Sequence, residues 1–151
     1  MIKPSELTPH LSGLMAQVIR EVFSEDEVAV VEGDAQVAQA LQALPFDHVF
    51  FTGSPAVGKQ VMAAAAQNLT SVTLELGGKS PQIIFGDADM DAMTTVVTNA
   101  IVQNAGQTCS AGSRLLVEQS AYEPLLERLS AAFQALRVGP ASMDQIGRAH
   151  V

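Results

Sequence analysis

The sequence predicts an α/β fold with a mostly parallel sheet, and two observations lead to that prediction. Short apolar runs rich in Val and Phe alternate with segments whose apolar residues recur every three or four positions. Gly, Pro, Ser and Asp residues stand where strands would turn into helices. Alternation of this kind is typical of strands joined by covering helices.

Composition limits the function classes. The chain has 151 residues, 48% of them hydrophobic, with 16 acidic against 8 basic residues and a net charge of −8. The length suffices to bury a core, and the acidic balance argues against a nucleic-acid surface. The sequence contains neither a long apolar run nor a signal-peptide pattern, so we expect no membrane association and a cytoplasmic location.

The first helix and the first strand are predicted from their end signals and periodicity. Thr8 and Pro9 look like a cap and first turn, and the helix should end near Phe23. Val28–Val31 is a candidate buried strand. The helix places its apolar residues on one face: Leu11, Leu14, Met15, Val18, Ile19 and Val22.

A second strand follows, flanked by two helices. Gly33 and Asp34 open a short helix, and His48–Thr52 is the strand. The turn 53–55 leads into an Ala-rich helix through about Gln67, with Ser54 as its cap.

The second half contains more strands and a long helix. Ser71–Leu76 alternates apolar and polar residues, which predicts a strand, and Gln82–Phe85 is another. Asp89 caps a helix that should reach about Ala105.

The remaining segments are a strand at Arg114–Val117 and a final amphipathic helix capped by Ser120. A loop of small residues, 106–112, separates that strand from the preceding helix and contains the lone Cys109.

Three features have both a functional and a structural interpretation. The turn Gly53–Gly58 leads from a strand into a helix, so its amides could hold phosphate, or it is the ordinary turn of any α/β fold. Glu75 is either a buried general base or a solvent-facing residue on an edge strand. Cys109 is either a small buried hydrophobe or an accessible nucleophile, which its Gly/Ser/Ala loop favours. The three His residues have no spacing of a zinc site, and no metal is predicted.

Taken together, three motifs resemble those of the aldehyde dehydrogenase superfamily. They are Phe51–Ser54 followed by Val57–Lys59, then Leu74–Pro81, then Gly106–Cys109, in the family's order and approximate spacing. Ile2–Pro9 looks like a fourth motif, and 25–33 with 44–53 looks most like the coniferyl-aldehyde and class 3 branch.

The resemblance implies a reaction and its catalytic residues. Cys109 would add to an aldehyde and give a thiohemiacetal. Hydride transfer to the nicotinamide would leave a thioester, and Glu75 would activate the water that releases a carboxylic acid.

The same resemblance implies an NAD site, with NADP also possible. Lys3 and Glu6 match positions that contact the adenosine ribose, and a carboxylate at Glu6 favours NAD because it repels a 2′-phosphate. The positions that match the turn beside the pyrophosphate and adenine are Gly53, Ser54, Val57 and Gly58.

The match also implies that the chain is a middle fragment of a longer protein. We expect residues 1–77 to be the second half of a Rossmann-like cofactor domain and 78–151 the start of the catalytic domain. The family's Pro-Trp-Asn and Glu-x-Phe-Gly-Pro motifs are missing from the sequence. Residues 148–151 resemble translated adapter sequence and are expected to be non-native.

We expect the 151-residue chain to be inactive and to associate through exposed core faces. The longer parent protein would be a homodimer or homotetramer. Two alternatives stay open. One is a non-enzymatic nucleotide-binding module or remnant. The other is a reductase of acyl phosphates with the same fold, which would have no need of Glu75.

Overall fold

The computed structural model describes residues 1–140, and the expectation for 148–151 lies outside them. The chain divides into two compact units, Met1–Glu75 and a second that begins at Leu76. Both combine helices with strands, which confirms the α/β class. None of the helices among the described residues is long and apolar enough to cross a membrane.

The first unit contains three helices and two strands, close to the predicted bounds. Asp34 caps the second helix by accepting from the Gln36 and Val37 amides, and Ser54 caps the third. The elements are α1 Pro9–Val22, α2 Ala35–Gln42, β1 His48–Gly53, α3 Pro55–Ala66 and β2 Ser71–Leu76.

β1 and β2 form a two-stranded sheet. Thr70 Oγ1 donates to the Phe46 carbonyl at 2.8 Å. The His48 ring nitrogens lie 2.7 Å from Ser71 Oγ and 3.0 Å from Thr73 Oγ1. The bonded partners follow the same order along both segments, since Thr70 bonds to Phe46 and Ser71 bonds to the next carbonyl, that of Asp47.

The apolar stripe of α1 is mostly exposed, and small residues of the helix are the ones that are buried. Ser12 and Ala16 are buried, at 6% and 0% exposure, and Ser12 Oγ donates to the Ser5 carbonyl at 2.8 Å. Small side chains let the helix backbone approach that segment closely. The helix therefore leaves between 50% and 67% of each of four apolar residues exposed: Leu11, Leu14, Val18 and Val22.

The predicted strand Val28–Val31 is also wrong as a strand. Only an isolated parallel bridge joins Val30 to Ile2. The Ile2 amide donates to the Ala29 carbonyl at 2.8 Å, and the Val31 amide donates to the Ile2 carbonyl at 2.9 Å. Among the described residues, Ile2 is the one residue that forms a bridge with this segment, so the pairing does not extend into a strand.

The second unit is a β-α-β-α arrangement. Its strands pair in parallel, with Pro81 opposite Arg114 and Ile84 opposite Val117. Parallel strands need a crossover, and the helix between them provides it. The elements are β3 Pro81–Ile84, α4 Met90–Val102, β4 Arg114–Val117 and α5 Gln119–Gln134, with one 3-10 turn, Gln103–Gly106, after α4.

Among residues 1–140, one face of the β3-β4 sheet is covered and the other is bare. Ile84 packs with Val97 of α4 and with Leu125 and Leu129 of α5, all at most 5% exposed. On the opposite face, three apolar side chains are more than half exposed: Ile83 at 63%, Phe85 at 62% and Leu116 at 54%.

Two predicted helix ends differ from the structure. α4 ends at Val102 rather than near Ala105, because Asn104 and Ala105 take positive φ. α5 begins two residues earlier than predicted, with Glu118 at the cap. Ser120 lies inside the helix, and its hydroxyl donates to the Glu118 carboxylate.

Candidate active site

Cys109 lies in a tight turn between α4 and β4. The Ala111 amide donates to the Thr108 carbonyl at 3.1 Å, which closes a four-residue turn around Cys109 and Ser110. The thiol is exposed. Within residues 1–140 the Cys109 amide has no hydrogen-bond acceptor, so it is free to donate to a substrate oxygen beside the thiol.

The chain enters this turn through three residues with positive φ. Asn104 has φ 51°, Ala105 56° and Gly106 76°. The Asn104 side chain donates to the Gln107 carbonyl at 3.1 Å, and the Gln107 amide donates back to the Asn104 carbonyl at 3.0 Å. A non-glycine residue in this region costs about 1 kcal/mol or more and persists only where its surroundings hold it.

The chain leaves the turn through Gly112, which is held on two sides. Its amide donates to the Ala100 carbonyl of α4 at 3.0 Å, and its carbonyl accepts from Gln82 Nε2 of β3 at 3.2 Å. A Cβ at this position would collide with the Gln82 amide and come within 3.1 Å of the Ala100 Cβ. Sequence reasoning missed Gln82, and its only signal was a polar residue in an apolar strand.

Arg114 adds a third attachment after the loop. Its Nε donates to the Lys79 carbonyl at 2.6 Å, and its backbone amide donates to the Ser80 carbonyl at 3.3 Å. The segment that follows β2 is thereby bound to the start of β4.

Glu75 lies on β2, and its side chain is exposed. Its exposure fits the solvent-facing interpretation, and its role as a base stays a prediction. Glu75 belongs to the first unit and Cys109 to the second.

An open cleft of about 280 Å³ lies where the predicted ribose-contacting residues are. Glu6 lines it, and two further carboxylates, Glu32 and Asp34, line the opposite side together with Gly33. Gly33 has φ 150°, and a Cβ there would meet Val37 at 2.5 Å. Sequence analysis assigned no ligand role to these opposite residues, because the cleft forms only when two distant segments meet.

Lys3 and Glu6 form an ion pair beside this cleft. Lys3 Nζ donates to Glu6 Oε2 at 3.2 Å and to the Pro4 carbonyl at 2.8 Å. The backbone amide of Glu6 and then the Lys3 ammonium hold the pKa of the Glu6 carboxyl below its usual value. The Glu6 carboxylate therefore stays charged under more acidic conditions than an isolated one.

The turn from β1 into α3 uses most of its own amides. Ser54 Oγ accepts from the Val57 amide at 3.3 Å, and the Ser54 carbonyl accepts from the Gly58 amide at 2.9 Å. Pro55 has no N–H, so Ala56 keeps the free amide of the first turn. Gly53 ends β1 beside the Phe51 ring, which leaves no room for a Cβ.

Comparison with known proteins decides the family. The aldehyde dehydrogenase family model matches residues 1–148. The chain belongs to the aldehyde dehydrogenase family. A probable coniferyl aldehyde dehydrogenase from Caulobacter vibrioides is 48% identical over 132 residues, which are 87% of this chain and 27% of that protein. A coniferyl aldehyde dehydrogenase from a Pseudomonas strain is 48% identical over 82% of the chain and 26% of its own length.

Solved aldehyde dehydrogenase structures share the fold. Escherichia coli lactaldehyde dehydrogenase superposes with a TM-score of 0.85 at 36% identity, over 97% of this chain and 31% of that one. PnpE, solved in complex with nicotinamide adenine dinucleotide, gives a TM-score of 0.85 at 38% identity, over 91% of this chain and 29% of that one. The Rossmann-like assignment is thereby confirmed, and the chain spans under a third of these relatives' length.

Proposed function

We propose that this chain is part of an NAD(P)-dependent aldehyde dehydrogenase that oxidises an aldehyde to a carboxylic acid with Cys109 as the nucleophile. The observation that carries the proposal is the exposed thiol next to its own unpaired amide, in a turn held at both ends. Nucleophilic attack on a carbonyl needs both an accessible sulfur and a donor for the oxyanion that forms.

The first step follows from that arrangement. The Cys109 thiolate attacks the aldehyde carbon, the C–S bond forms, and the carbonyl electron pair moves to oxygen. The Cys109 amide donates to this oxygen, which lowers the barrier because the donor is already in place. NAD(P), which Lys3, Glu6 and the turn Gly53–Gly58 would hold, would accept the hydride that leaves the adduct carbon, so that an acyl group remains on sulfur.

Glu75 serves the second half of the reaction. The acyl group stays on Cys109 as a thioester, whose hydrolysis needs an activated water. Glu75 is exposed, so water reaches its carboxylate. The carboxylate takes a proton from that water, the oxygen attacks the acyl carbon, and the C–S bond breaks to release the acid. An acyl-phosphate reductase needs no such base, so Glu75 favours the oxidising enzyme.

The acidic cleft fits the adenosine side of a dinucleotide. Glu6, Glu32 and Asp34 can accept hydrogen bonds from ribose hydroxyls, with Lys3 next to Glu6. A 2′-phosphate would add negative charge among three carboxylates, so we propose NAD over NADP. One like charge at about 4 Å in water is unfavourable by about 1 kcal/mol, roughly a fivefold preference. The free amide of Ala56 is available to a phosphate oxygen.

A chimera tests the proposal in the context of a whole enzyme. Residues 1–147 would replace the matching region of the Caulobacter vibrioides protein, and NADH formation from coniferyl aldehyde would be followed by absorbance. We expect turnover, loss of at least a thousandfold with Cys109→Ser, and a single burst per site followed by a stall with Glu75→Gln. Glu123→Gln, an exposed carboxylate on α5, is the matched control.

The outcomes separate the alternatives. Full turnover with Cys109→Ser would refute the nucleophile. NAD-dependent stabilisation without turnover in the chimera, unchanged by Cys109→Ala, would indicate a nucleotide-binding module. Unimpaired turnover with Glu75→Gln would remove the proposed base. For the 151-residue chain alone we expect no NADH, because the family motifs that complete the cofactor site and oxyanion hole are missing from the sequence.

A further inference from the structure

Gln82 stands out because it is a polar side chain on the helix-covered face of β3, whose other residues are apolar. It shares that face with the buried Ile84, two residues on in β3. Its side-chain amide donates a hydrogen bond to the Gly112 carbonyl at 3.2 Å. Gly112 is three residues after Cys109, and its own amide is bound to the Ala100 carbonyl of α4.

We propose that Gln82 is a positioning residue for the nucleophile, acting through Gly112 on the turn that aims the Cys109 amide. This inference rests on the proposed role of Cys109. The peptide after Gly112 is held by β3, the peptide before it by α4, and the turn Thr108–Ala111 is closed by one bond only. The direction of the Cys109 amide is therefore set from outside the turn.

The opposite end of the turn cannot set this direction alone. The left-handed run Asn104–Gly106 is held by hydrogen bonds that stay within residues 104–107, and these bonds do not reach the turn Thr108–Ala111. A peptide with positive φ at an alanine relaxes if its neighbours allow it. The Gly112 attachment opposes that relaxation, because it ties the far end to two packed elements.

The absence of a side chain at Gly112 supports a fitted contact. A Cβ there would collide with the Gln82 amide, so the glycine lets the amide approach the backbone. Gly112 is buried, so its carbonyl depends on the Gln82 amide for this hydrogen bond.

The test compares two reactions of the same thiol in the purified chain, in which Cys109 is the only cysteine. With p-nitrophenyl acetate, sulfur attacks the acetyl carbon, an oxyanion forms, and p-nitrophenolate leaves with the bonding electrons while the acetyl group stays on sulfur. With iodoacetamide, sulfur displaces iodide and no oxyanion forms. The ratio of the two rate constants reports oxyanion stabilisation, and changes in thiol exposure or ionisation cancel.

Gln82→Met keeps the length of the side chain and removes the donor. We expect acylation to slow about tenfold while alkylation changes less than twofold. Removing a whole oxyanion donor slows a reaction about a hundredfold or more, and a donor that is only misaligned should lose part of that effect. Gln82→Asn keeps an amide that is one methylene too short and should lower the ratio in the same way. Gln17→Leu is the matched control, since it removes a glutamine bond of 3.1 Å to Glu21 in the first unit.

The results separate this inference from the proposed function. Both the positioning role and the proposed function would be overturned if Cys109 in the wild-type chain were acylated no faster than free cysteine, after correction for their alkylation rates. If Gln82→Met and Gln82→Asn keep the wild-type ratio of acylation to alkylation rate constants, only the positioning role would be overturned. Equal losses of acylation and alkylation, or loss of folded Tyr122 fluorescence in both variants, would show that Gln82 only supports the fold, and the inference would fail.

Discussion

Leu125→Ala is expected to remove much of the stability of the second unit. Leu125 is 1% exposed and packs with Ile84, Val97 and Leu129. Truncating a fully buried leucine costs about 2–5 kcal/mol through lost burial and the cavity left behind. A unit of about 65 residues has roughly 3–10 kcal/mol in total. A loss of about 3 kcal/mol is therefore a third or more of it, over a hundredfold in the folding equilibrium.

The assay uses the only tyrosine of a chain without tryptophan, Tyr122 on α5. Urea unfolding followed by its fluorescence reports the second unit directly. Leu126→Ala removes the same atoms from the next residue, which is 46% exposed, and should cost less than about 1 kcal/mol. Equal losses in the two variants would refute the assignment of the α5 face that packs on the sheet.

Three further predictions concern the surface, one carboxylate and one glycine. Leu116→Lys, on the bare sheet face, should shift the chain toward monomer in sedimentation velocity, because it charges an apolar patch; unchanged association would place the contact elsewhere. Glu118 accepts from the Gly86 amide at 2.8 Å, a bond that, ahead of the Ser120 hydroxyl, lowers its pKa. The Glu118 carboxylate therefore stabilises the fold above the ordinary pKa of glutamate, and this stabilisation is lost as the pH falls through the lowered pKa of the folded state. The urea midpoints of wild type and Glu118→Gln should therefore differ at neutral pH and converge in acid. Gly33→Ala should destabilise the first unit by at least about 1 kcal/mol by urea titration, because its φ of 150° and the contact with Val37 exclude a Cβ; an unchanged midpoint would contradict the observed turn.

Local signals predicted elements well where the chain itself supplied the partner. Asp34, Ser54 and Asp89 each accept backbone amides at the predicted helix starts. Such caps depend on three or four neighbouring residues, so they can be read from a short stretch. The strands at Arg114–Val117 and Ser71–Leu76 were predicted with their observed bounds, because a short apolar or alternating run between turn residues is also a local signal.

Predictions failed where the partner lay far along the chain. The apolar stripe of α1 predicted which residues share a face, but it could not predict that the structure would bury Ser12 and Ala16, because a periodic pattern does not show which surface meets the helix. The cleft lined by Glu6 and Glu32 could not be predicted either, because its two sides are far apart in the sequence. Gln82 required knowledge of the β3-β4 pairing before its bond to Gly112 could be considered.

The residues proposed for catalysis and cofactor binding divide between the two units, and this division leads to a prediction for the chain alone. Lys3, Glu6 and Glu75 belong to the first unit and Cys109 to the second. Dehydrogenation requires the adduct carbon and the hydride acceptor to meet at about 3–3.5 Å, a tolerance that bonds within one unit cannot set. Acylation of Cys109 needs only the turn and its attachments, all of which lie in the second unit. A chain that is acylated quickly yet forms no NADH is therefore the expected behaviour, and NADH formation by the 151-residue chain would show that the rest of the relatives' length is dispensable.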